Sequence, residues 1–471
     1  MRRIQLAEPA KEMIDVPASI FRAYDIRGVV DDTLTSQVVY ALGRAIGSEA
    51  YERGQQKLIL GRDGRLSAPA LAKALSEGLR ATGRNVTDIG QVPTPLLYFA
   101  THYLGAESGV MVTGSHNPPE YNGLKIVLGG ETLFGEAIQG LRRRIETGRL
   151  LNKEGGGYQT VDVVGDYIEH IVNDVTLQRP MSVVVDCGNG VAGAVAPRLL
   201  EALGCQVSKL FCDVDGHFPN HHPDPSIPEN LEAMVNLVRL QGVDLGIAFD
   251  GDGDRLGVVD SQGNIIWPDR LLMLFSMDIL SRHPGADIIY DVKCTNQLAE
   301  VIQAHAGRPL MWKTGHSLIK AKMKETGALL AGEMSGHIFI KERWFGFDDA
   351  LYACTRLLEI LSADPRPTRQ IFASLPNSIS TPELRVDVAE GQQFDFVQDL
   401  IESASFEGAQ LSTIDGLRAD FEDGWGLVRA SNTTPSLVMR FDARDEQSLK
   451  RIQGEFRRQM LSVDPNLSLP F

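Results

Sequence analysis

Val110-Met111-Val112-Thr113-Gly114-Ser115-His116-Asn117-Pro118-Pro119 decides how this chain is read. The apolar trio predicts a buried strand. The glycine, asparagine and prolines after Thr113 break it into a tight loop. Ser115 thereby stands at the end of a strand, where a hydroxyl is well placed for chemistry. A glycine-proline turn that merely contains a serine would look the same, so the rest of the chain has to decide.

Working outward, one pattern recurs three times. Leu58-Ile59-Leu60 predicts a strand, Gly61-Arg62-Asp63-Gly64-Arg65 a turn, and the apolar row Leu71, Leu75, Leu79 a helix that Gly83 stops. Val183-Val184-Val185 leads to Asp186-Cys187-Gly188-Asn189-Gly190, a helix through Leu199-Leu200, and Gly204. Ile288-Ile289-Tyr290 leads to Asp291-Val292-Lys293-Cys294-Thr295 and a helix through Leu298 and Ile302. Each copy later supplies a second strand that ends in a polar loop. These are 109–112 into Thr113-Gly114-Ser115-His116, 245–249 into Asp250-Gly251-Asp252-Gly253-Asp254-Arg255, and 328–331 into Gly332-Glu333-Met334-Ser335-Gly336-His337.

Strand, helix, strand at this spacing predicts α/β units with largely parallel strands. Ligands gather at the carboxyl ends of strands in such sheets, so the three loops are expected at equivalent strand ends facing one cleft. Residues 1–19 read as a loose lead-in, and Ile20–Gly28 as a strand-like segment carrying Arg22 and Arg27. Past about residue 376, Leu384–Val388 and Leu437–Phe441 alternate like antiparallel strands, and Gln447–Leu461 reads as a closing helix. The expected fold is three related α/β domains with mixed, largely parallel sheets and a smaller C-terminal α+β domain around a central cleft. The boundaries are 1–160, 161–264, 265–376 and 377–471.

The length, 471 residues, suits several domains. A net charge of −15 argues against nucleic acid and anionic membranes as partners, although a local basic site can still receive an anionic substrate. Five scattered cysteines without a CxxC pair suit reduced thiols in a cytoplasm. Met1-Arg2-Arg3 is basic, but no apolar stretch follows it, so a secretory signal is not expected. No apolar run is long enough for a membrane span.

Asp250, Asp252 and Asp254 carry the strongest local signal. Alternate residues of an extended turn point one way, so three carboxylates converge and need a hard divalent cation. An EF-hand fails, because the sixth loop position is Arg255 and the twelfth Ser261. Three protein oxygens leave room for water and a phosphate, as Mg²⁺ prefers; a solvated acidic turn is the plain alternative. Gly188-Asn189-Gly190-Val191-Ala192-Gly193 followed by Asp213 matches a dinucleotide fingerprint, yet it occurs in only one of the repeats. Ser115-His116 lacks GxSxG or an oxyanion motif, and neighbouring residues need not point together, so a hydrolase pair is not expected. Arg429-Ala430-Ser431-Asn432-Thr433-Thr434-Pro435 groups a cation, hydroxyls and an amide in a turn that suits phosphate or carboxylate.

Taken together, the loops at 113–118, 250–255, 332–337 and 429–434 resemble the α-D-phosphohexomutase family in order and spacing, over nearly the whole chain. The resemblance implies a phosphorylated Ser115, with Asp250, Asp252 and Asp254 holding one Mg²⁺ together with the Ser115 phosphate. It implies that Glu333 and Ser335 bind sugar hydroxyls, and that Arg429, Ser431, Asn432 and Thr433 hold the phosphate that is not reacting. Tyr24, Arg27, Lys293, Gly315 and His316 match further substrate contacts. Lys125 and His337 match the candidate general acid and base, and His337 also faces the substrate; Arg255 is a charge-stabilising cation.

The implied reaction moves a phosphoryl group between O1 and O6 of mannose and glucose phosphates through a bound 1,6-bisphosphate, with glucose 1,6-bisphosphate as activator. Hexose phosphates are the expected partners and a monomer the expected state. Phosphoglucosamine mutase is the alternative within the family, weakened by Met334 where those relatives carry Gln. A sugar-phosphate phosphatase is the alternative from another class.

Overall fold

The computed structural model describes residues 15–389, 391–432 and 434–471, so Thr433 and most of the lead-in lie outside the described residues. Two compact units are present. One is built from the chain up to Ile266 together with Ser335–Arg369, the other from Trp267–Met334 and Gln370–Phe471.

The first unit holds two mixed sheets. In the first, the strands run in the order Ile26–Val29, Tyr121–Leu128, Gly109–Val112, Lys57–Arg62, Asn85–Gln91, Tyr158–Thr160, with Glu131–Thr132 beside Tyr121–Leu128. Lys57–Arg62 is parallel to both neighbours, and Tyr121–Leu128 is antiparallel to its own. Helices Ser36–Glu52 and Ala68–Arg80 cover this sheet and bury Leu42, Ile46, Leu71, Leu75 and Leu79 against Leu58, Leu60, Val110 and Ile126. The two helices touch backbone to backbone: a Cβ on Gly78 would lie 2.3 Å from the Tyr40 carbonyl. In the second sheet the order is Ile265–Ile266, Leu256–Asp260, Leu245–Phe249, Ser182–Asp186, Gln206–Leu210. Leu245–Phe249 is parallel to Ser182–Asp186 and antiparallel to Leu256–Asp260.

In the second unit, Asp287–Asp291 is parallel to Arg308–Trp312 and to Leu330–Gly332. Its other sheet is antiparallel, in the order Ile379–Ser380, Ser436–Ala443, Gly424–Ala430, Leu417–Phe421, Gln410–Ser412, with Leu384–Asp387 also on Ser436–Ala443. Helices Gln392–Ser403 and Glu446–Val463 pack on it around Leu400, Met439, Phe441, Ile452 and Phe456.

In each repeat the first strand is therefore parallel to the strand that carries the polar loop, as the spacing predicts. One local expectation is corrected. The segment Ile20–Gly28 becomes strand only from Ile26, where the strand Ile26–Val29 begins, because Arg22 N turns back onto the Asp25 carbonyl at 3.0 Å. The helix expected through Leu199-Leu200 is Ala196–Ala202, with Pro197 in its first turn, and the 3-10 segment Val191–Ala194 precedes it.

Candidate active site

Ser115 follows the strand Gly109–Val112 and has φ = 50°, a left-handed backbone that costs a residue with a Cβ. Local hydrogen bonds hold it there. Ser115 N donates to Thr113 Oγ1 at 2.8 Å, and Gly114 N donates to Asp63 Oδ2 at 3.0 Å. Ser115 Oγ lies 3.1 Å from Asp250 Oδ2 and 3.1 Å from His116 Nδ1. The serine and histidine thus do point together. Burial, then Arg255 and Arg27, hold the His116 imidazole well below its usual pKa, so it faces the hydroxyl as a neutral ring.

The three acids converge as their alternation predicts: carboxylate oxygens of Asp250, Asp252 and Asp254 all lie within 4.8 Å of one another, fully buried. Each is used unequally. Asp250 Oδ1 accepts Asp254 N at 3.0 Å and Arg255 N at 3.1 Å. Asp252 Oδ2 accepts Thr94 Oγ1 at 2.6 Å, Thr113 Oγ1 at 3.1 Å and Lys125 Nζ at 2.8 Å. Asp252 Oδ1 is buried with no hydrogen-bond partner among the described residues. Such an orphan acceptor is costly unless a cation takes it. Burial, then the neighbouring Asp252 and Asp254, push the Asp250 carboxyl well above its usual range, and a divalent cation would relieve that repulsion. The donor set therefore fits a hard divalent ion.

Lys125 Nζ also pairs with Asp254, and His337 Nε2 lies 3.2 Å from Asp254 Oδ1. Burial opposes the Lys125 ammonium, but Asp252 and Asp254 outweigh it and hold its pKa well above normal. His337 is set from its other side by Ser335 Oγ, 2.9 Å from Nδ1. The strand–strand bridge Arg255–His337 brings these loops side by side. Arg255 leans on Asp224 at 3.8 Å, and Arg27 donates to Asn117 Oδ1 at 2.6 Å while pairing with Asp25. Tyr24 is half-buried beside Asp25 in the same turn.

The dinucleotide fingerprint is closed by the chain itself. Asn189 Nδ2 donates to the Asp213 carbonyl at 2.8 Å. A Cβ on Gly190 would meet Gly251 Cα at 2.9 Å, and one on Gly193 would meet the Cys212 carbonyl at 2.0 Å. Gly190 thus packs against the acidic loop and Gly193 against the turn at Cys212.

The remaining candidates lie in the second unit. Gly315 N donates to Glu333 Oε1 at 2.5 Å, and His316 starts the helix His316–Thr326. Lys293 is buried and pairs with Glu383 at 3.1 Å, which holds the Glu383 carboxyl well below its usual range. Arg429 Nε donates to Asp415 Oδ2 at 3.1 Å, and the same oxygen accepts Thr314 N at 3.0 Å. Ser431 Oγ sits 2.9 Å from Thr434 Oγ1 in the following turn, which includes Asn432.

Several supporting residues escaped the sequence reading. Asp63 directly follows, and Asp186 and Asp291 end, the first strand of each repeat, and they accept a backbone N–H two residues on, at 3.0, 2.9 and 3.2 Å. Asp63 and Asp291 each also accept a backbone N–H from the polar loop beside them, Gly114 and Met334. Their recurrence at equivalent turns was the signal that could have found them. Asp415 and Thr94 carried none.

Comparison with known proteins places four models of the phosphoglucomutase/phosphomannomutase family along the chain. The alpha/beta/alpha domains I, II and III match 18–151, 165–263 and 267–379, and the C-terminal domain matches 383–459. A phosphomannomutase/phosphoglucomutase of Pseudomonas aeruginosa is 58% identical over 97% of this chain and 98% of its own. A phosphoglucomutase of Neisseria meningitidis is 53% identical over 97% of this chain and 100% of its own. The crystal structure of a phosphoglucomutase/phosphomannomutase family protein from Burkholderia thailandensis superposes with a TM-score of 0.93 at 52% identity, covering 97% of this chain and 100% of that one.

Proposed function

Because the chain belongs to the phosphoglucomutase/phosphomannomutase family, we propose that it interconverts the 1- and 6-phosphates of mannose and glucose, with Ser115 as the phosphoryl carrier. It is an isomerase that acts on hexose phosphates. One observation carries the assignment: the Ser115 hydroxyl, in a left-handed loop, hydrogen-bonds at 3.1 Å to a buried carboxylate triad that also holds Lys125.

The reaction runs in two transfers. O6 of a hexose 1-phosphate attacks the phosphorus on Ser115, so the Oγ–P bond breaks as the O6–P bond forms. The O6 proton passes to His337, and the Lys125 ammonium gives a proton to the departing Oγ. The sugar, now a 1,6-bisphosphate, turns end for end. Ser115 Oγ then attacks the phosphorus on O1, Lys125 takes the Oγ proton back, and His337 protonates O1. The 6-phosphate leaves. Lys125 suits the donor role because Asp252 and Asp254 keep it charged.

Asp250, Asp252, Asp254 and the phosphorylated Ser115 would hold one Mg²⁺, which when bound supplies positive charge to the phosphoryl oxygens. Arg255 adds a fixed cation beside the triad. Glu333 and Ser335 bind sugar hydroxyls. Arg429, Ser431, Asn432 and Thr433 hold the phosphate that is not reacting, and Tyr24, Arg27, Lys293, Gly315 and His316 complete the substrate contacts. Glucose and mannose differ at C2, so a site whose Glu333 bonds O3 and O4 accepts both.

We read the chain as four domains, 1–160, 161–264, 265–376 and 377–471, working as a cytoplasmic monomer without nucleic-acid or membrane partners. The acidic balance and the five free thiols support this reading. Among the described residues, no helix is long and apolar enough to cross a membrane.

The test is a coupled assay with Mg²⁺ and a trace of glucose 1,6-bisphosphate. Glucose 1-phosphate, mannose 1-phosphate and glucosamine 1-phosphate are offered separately, and 6-phosphate and free phosphate are followed together. Comparable turnover of the first two without phosphate release is expected. Turnover of glucosamine 1-phosphate alone, or phosphate release matching substrate loss, would overturn the assignment.

A further inference from the structure

Arg65 is a buried guanidinium, 2% exposed, lying inside the turn that carries Ser115. Both of its Nη nitrogens are spent on that turn's backbone. Nη2 donates to the Ser115 carbonyl at 2.8 Å and the Asn117 carbonyl at 2.5 Å. Nη1 donates to the Tyr121 carbonyl at 2.9 Å and the Pro118 carbonyl at 2.5 Å. Nε stands 3.3 Å from Asp63 Oδ2, the oxygen that also accepts Gly114 N. The Phe218 ring lies 5.2 Å from the guanidinium carbon. Gly114 lies flush against the group: a Cβ there would be 2.4 Å from Arg65 Cζ.

Four carbonyls turned inward on one point would repel one another and lack water. A planar fork of five N–H donors resolves this, whereas the three donors of an ammonium on a flexible stem do not match the geometry. The Ser115 carbonyl is also held from the opposite loop. A Cβ on Gly251, between Asp250 and Asp252, would lie 2.4 Å from it. One carbonyl is thus confined between Arg65 and the acidic loop. Because Ser115 has φ = 50°, fixing its carbonyl also fixes the direction in which its Cβ and Oγ leave the backbone.

We propose that Arg65 is a positioning residue for phosphoryl transfer: it sets the register between the Ser115 loop and the Asp250–Asp254 loop, and so the aim of Ser115 Oγ. This rests on Ser115 being the phosphoryl carrier. Arg65 touches no reacting atom, and of the assigned substrate contacts Arg27 alone is bonded to the turn it holds, through Asn117 Oδ1 at 2.6 Å. Its loss therefore reduces the rate of transfer far more than it weakens substrate binding. A misplacement of about 1 Å at a reacting group costs on the order of 100-fold in rate.

The experiment compares wild type, Arg65→Lys and Gly114→Ala, the last displacing the guanidinium from the other side without removing it. Steady-state kinetics with glucose 1-phosphate are normalised to the folded fraction from circular dichroism. Intact-mass spectrometry follows phosphorylation of dephosphorylated enzyme by glucose 1,6-bisphosphate. Wild type gaining one phosphoryl group that Ser115→Ala does not gain upholds the carrier assignment; its failure to do so overturns that assignment, and this inference with it. Given a phosphorylated wild type, both variants are expected to lose about 100-fold in kcat per folded molecule with KM changed less than about 3-fold, and to charge Ser115 correspondingly slowly. A wild-type kcat per folded molecule in either variant overturns the positioning role, as does a loss confined to KM.

Discussion

Lys125 Nζ donates to Asp252 Oδ2 at 2.8 Å and pairs with Asp254 as well, so one buried cation balances two of the three convergent carboxylates. The third, Asp250, is held by the Asp254 and Arg255 backbone and by Ser115 Oγ. Charge balance and chemistry are therefore built from the same side chains.

Lys125→Met leaves Asp252 and Asp254 buried without their cation. Breaking a buried pair from one side costs about 3–5 kcal/mol. The variant should melt well below wild type in EDTA and recover more of its Tm than wild type does on addition of Mg²⁺. Equal Mg²⁺ stabilisation of the two proteins would contradict the balance described above. Mutase activity should fall with the loss of the proposed proton donor.

Ser115→Ala removes the proposed phosphoryl carrier and one hydroxyl contact to Asp250. Its backbone bonds to Thr113 and Arg65 use main-chain atoms and survive. The variant should fold with a Tm close to wild type and lose on the order of 1,000-fold or more in kcat. Retention of full activity with glucose 1-phosphate would refute the covalent route.

Asp349 predicts a pH dependence of stability. Its buried carboxylate accepts Tyr167 Oη at 2.8 Å, Trp344 Nε1 at 3.1 Å and, as a helix N-cap, Tyr352 N at 2.9 Å. Burial outweighs these donors and pushes the carboxyl up to about 7. The unfolded group titrates near ~3.9, so between these values the folded state binds the extra proton. The contribution is fully present below the unfolded value and is lost as pH rises through about 7, by up to roughly 4 kcal/mol. Asp349→Asn keeps an acceptor for the helix N–H and should flatten this slope. Denaturant unfolding at pH 5 and pH 8 measures it, and an unchanged slope in the variant would exclude Asp349 as its source.

Glu333→Ala removes the acceptor of Gly315 N and the group assigned to sugar hydroxyls. Glucose and mannose phosphates should lose kcat/KM by similar factors, about 10–100-fold, as for one charged hydrogen bond to a substrate hydroxyl. Loss of one activity alone would show that the site reads the C2 hydroxyl through Glu333.

The repeats were legible because their signals are local. Val183–Val185 and Leu245–Phe249 are short apolar runs with Gly and Asp behind them, and both are strands whose parallel pairing follows from the helices between. The acidic loop was legible for the same reason, since alternation alone brings Asp250, Asp252 and Asp254 together. What escaped depends on distant chain. Arg65 meets carbonyls some fifty residues away, and nothing around Asp415 in sequence announces Arg429. The contact of Ser115 with His116 escaped because it follows from a left-handed φ that local rules reserve for glycine.

Asp252 divides its work between two oxygens: Oδ2 is saturated by Thr94, Thr113 and Lys125, while Oδ1, without a partner among the described residues, is open to an ion. The wiring that shapes the acidic loop is thus separate from the atom that meets the metal. Exchanging one divalent cation for another becomes a local event, in which the incoming ion finds a finished seat. Metals of different size and acidity should then grade the rate of turnover while the melting profile of the surrounding sheets stays in place, which makes the loop a fixed socket for comparing ions by their chemistry alone.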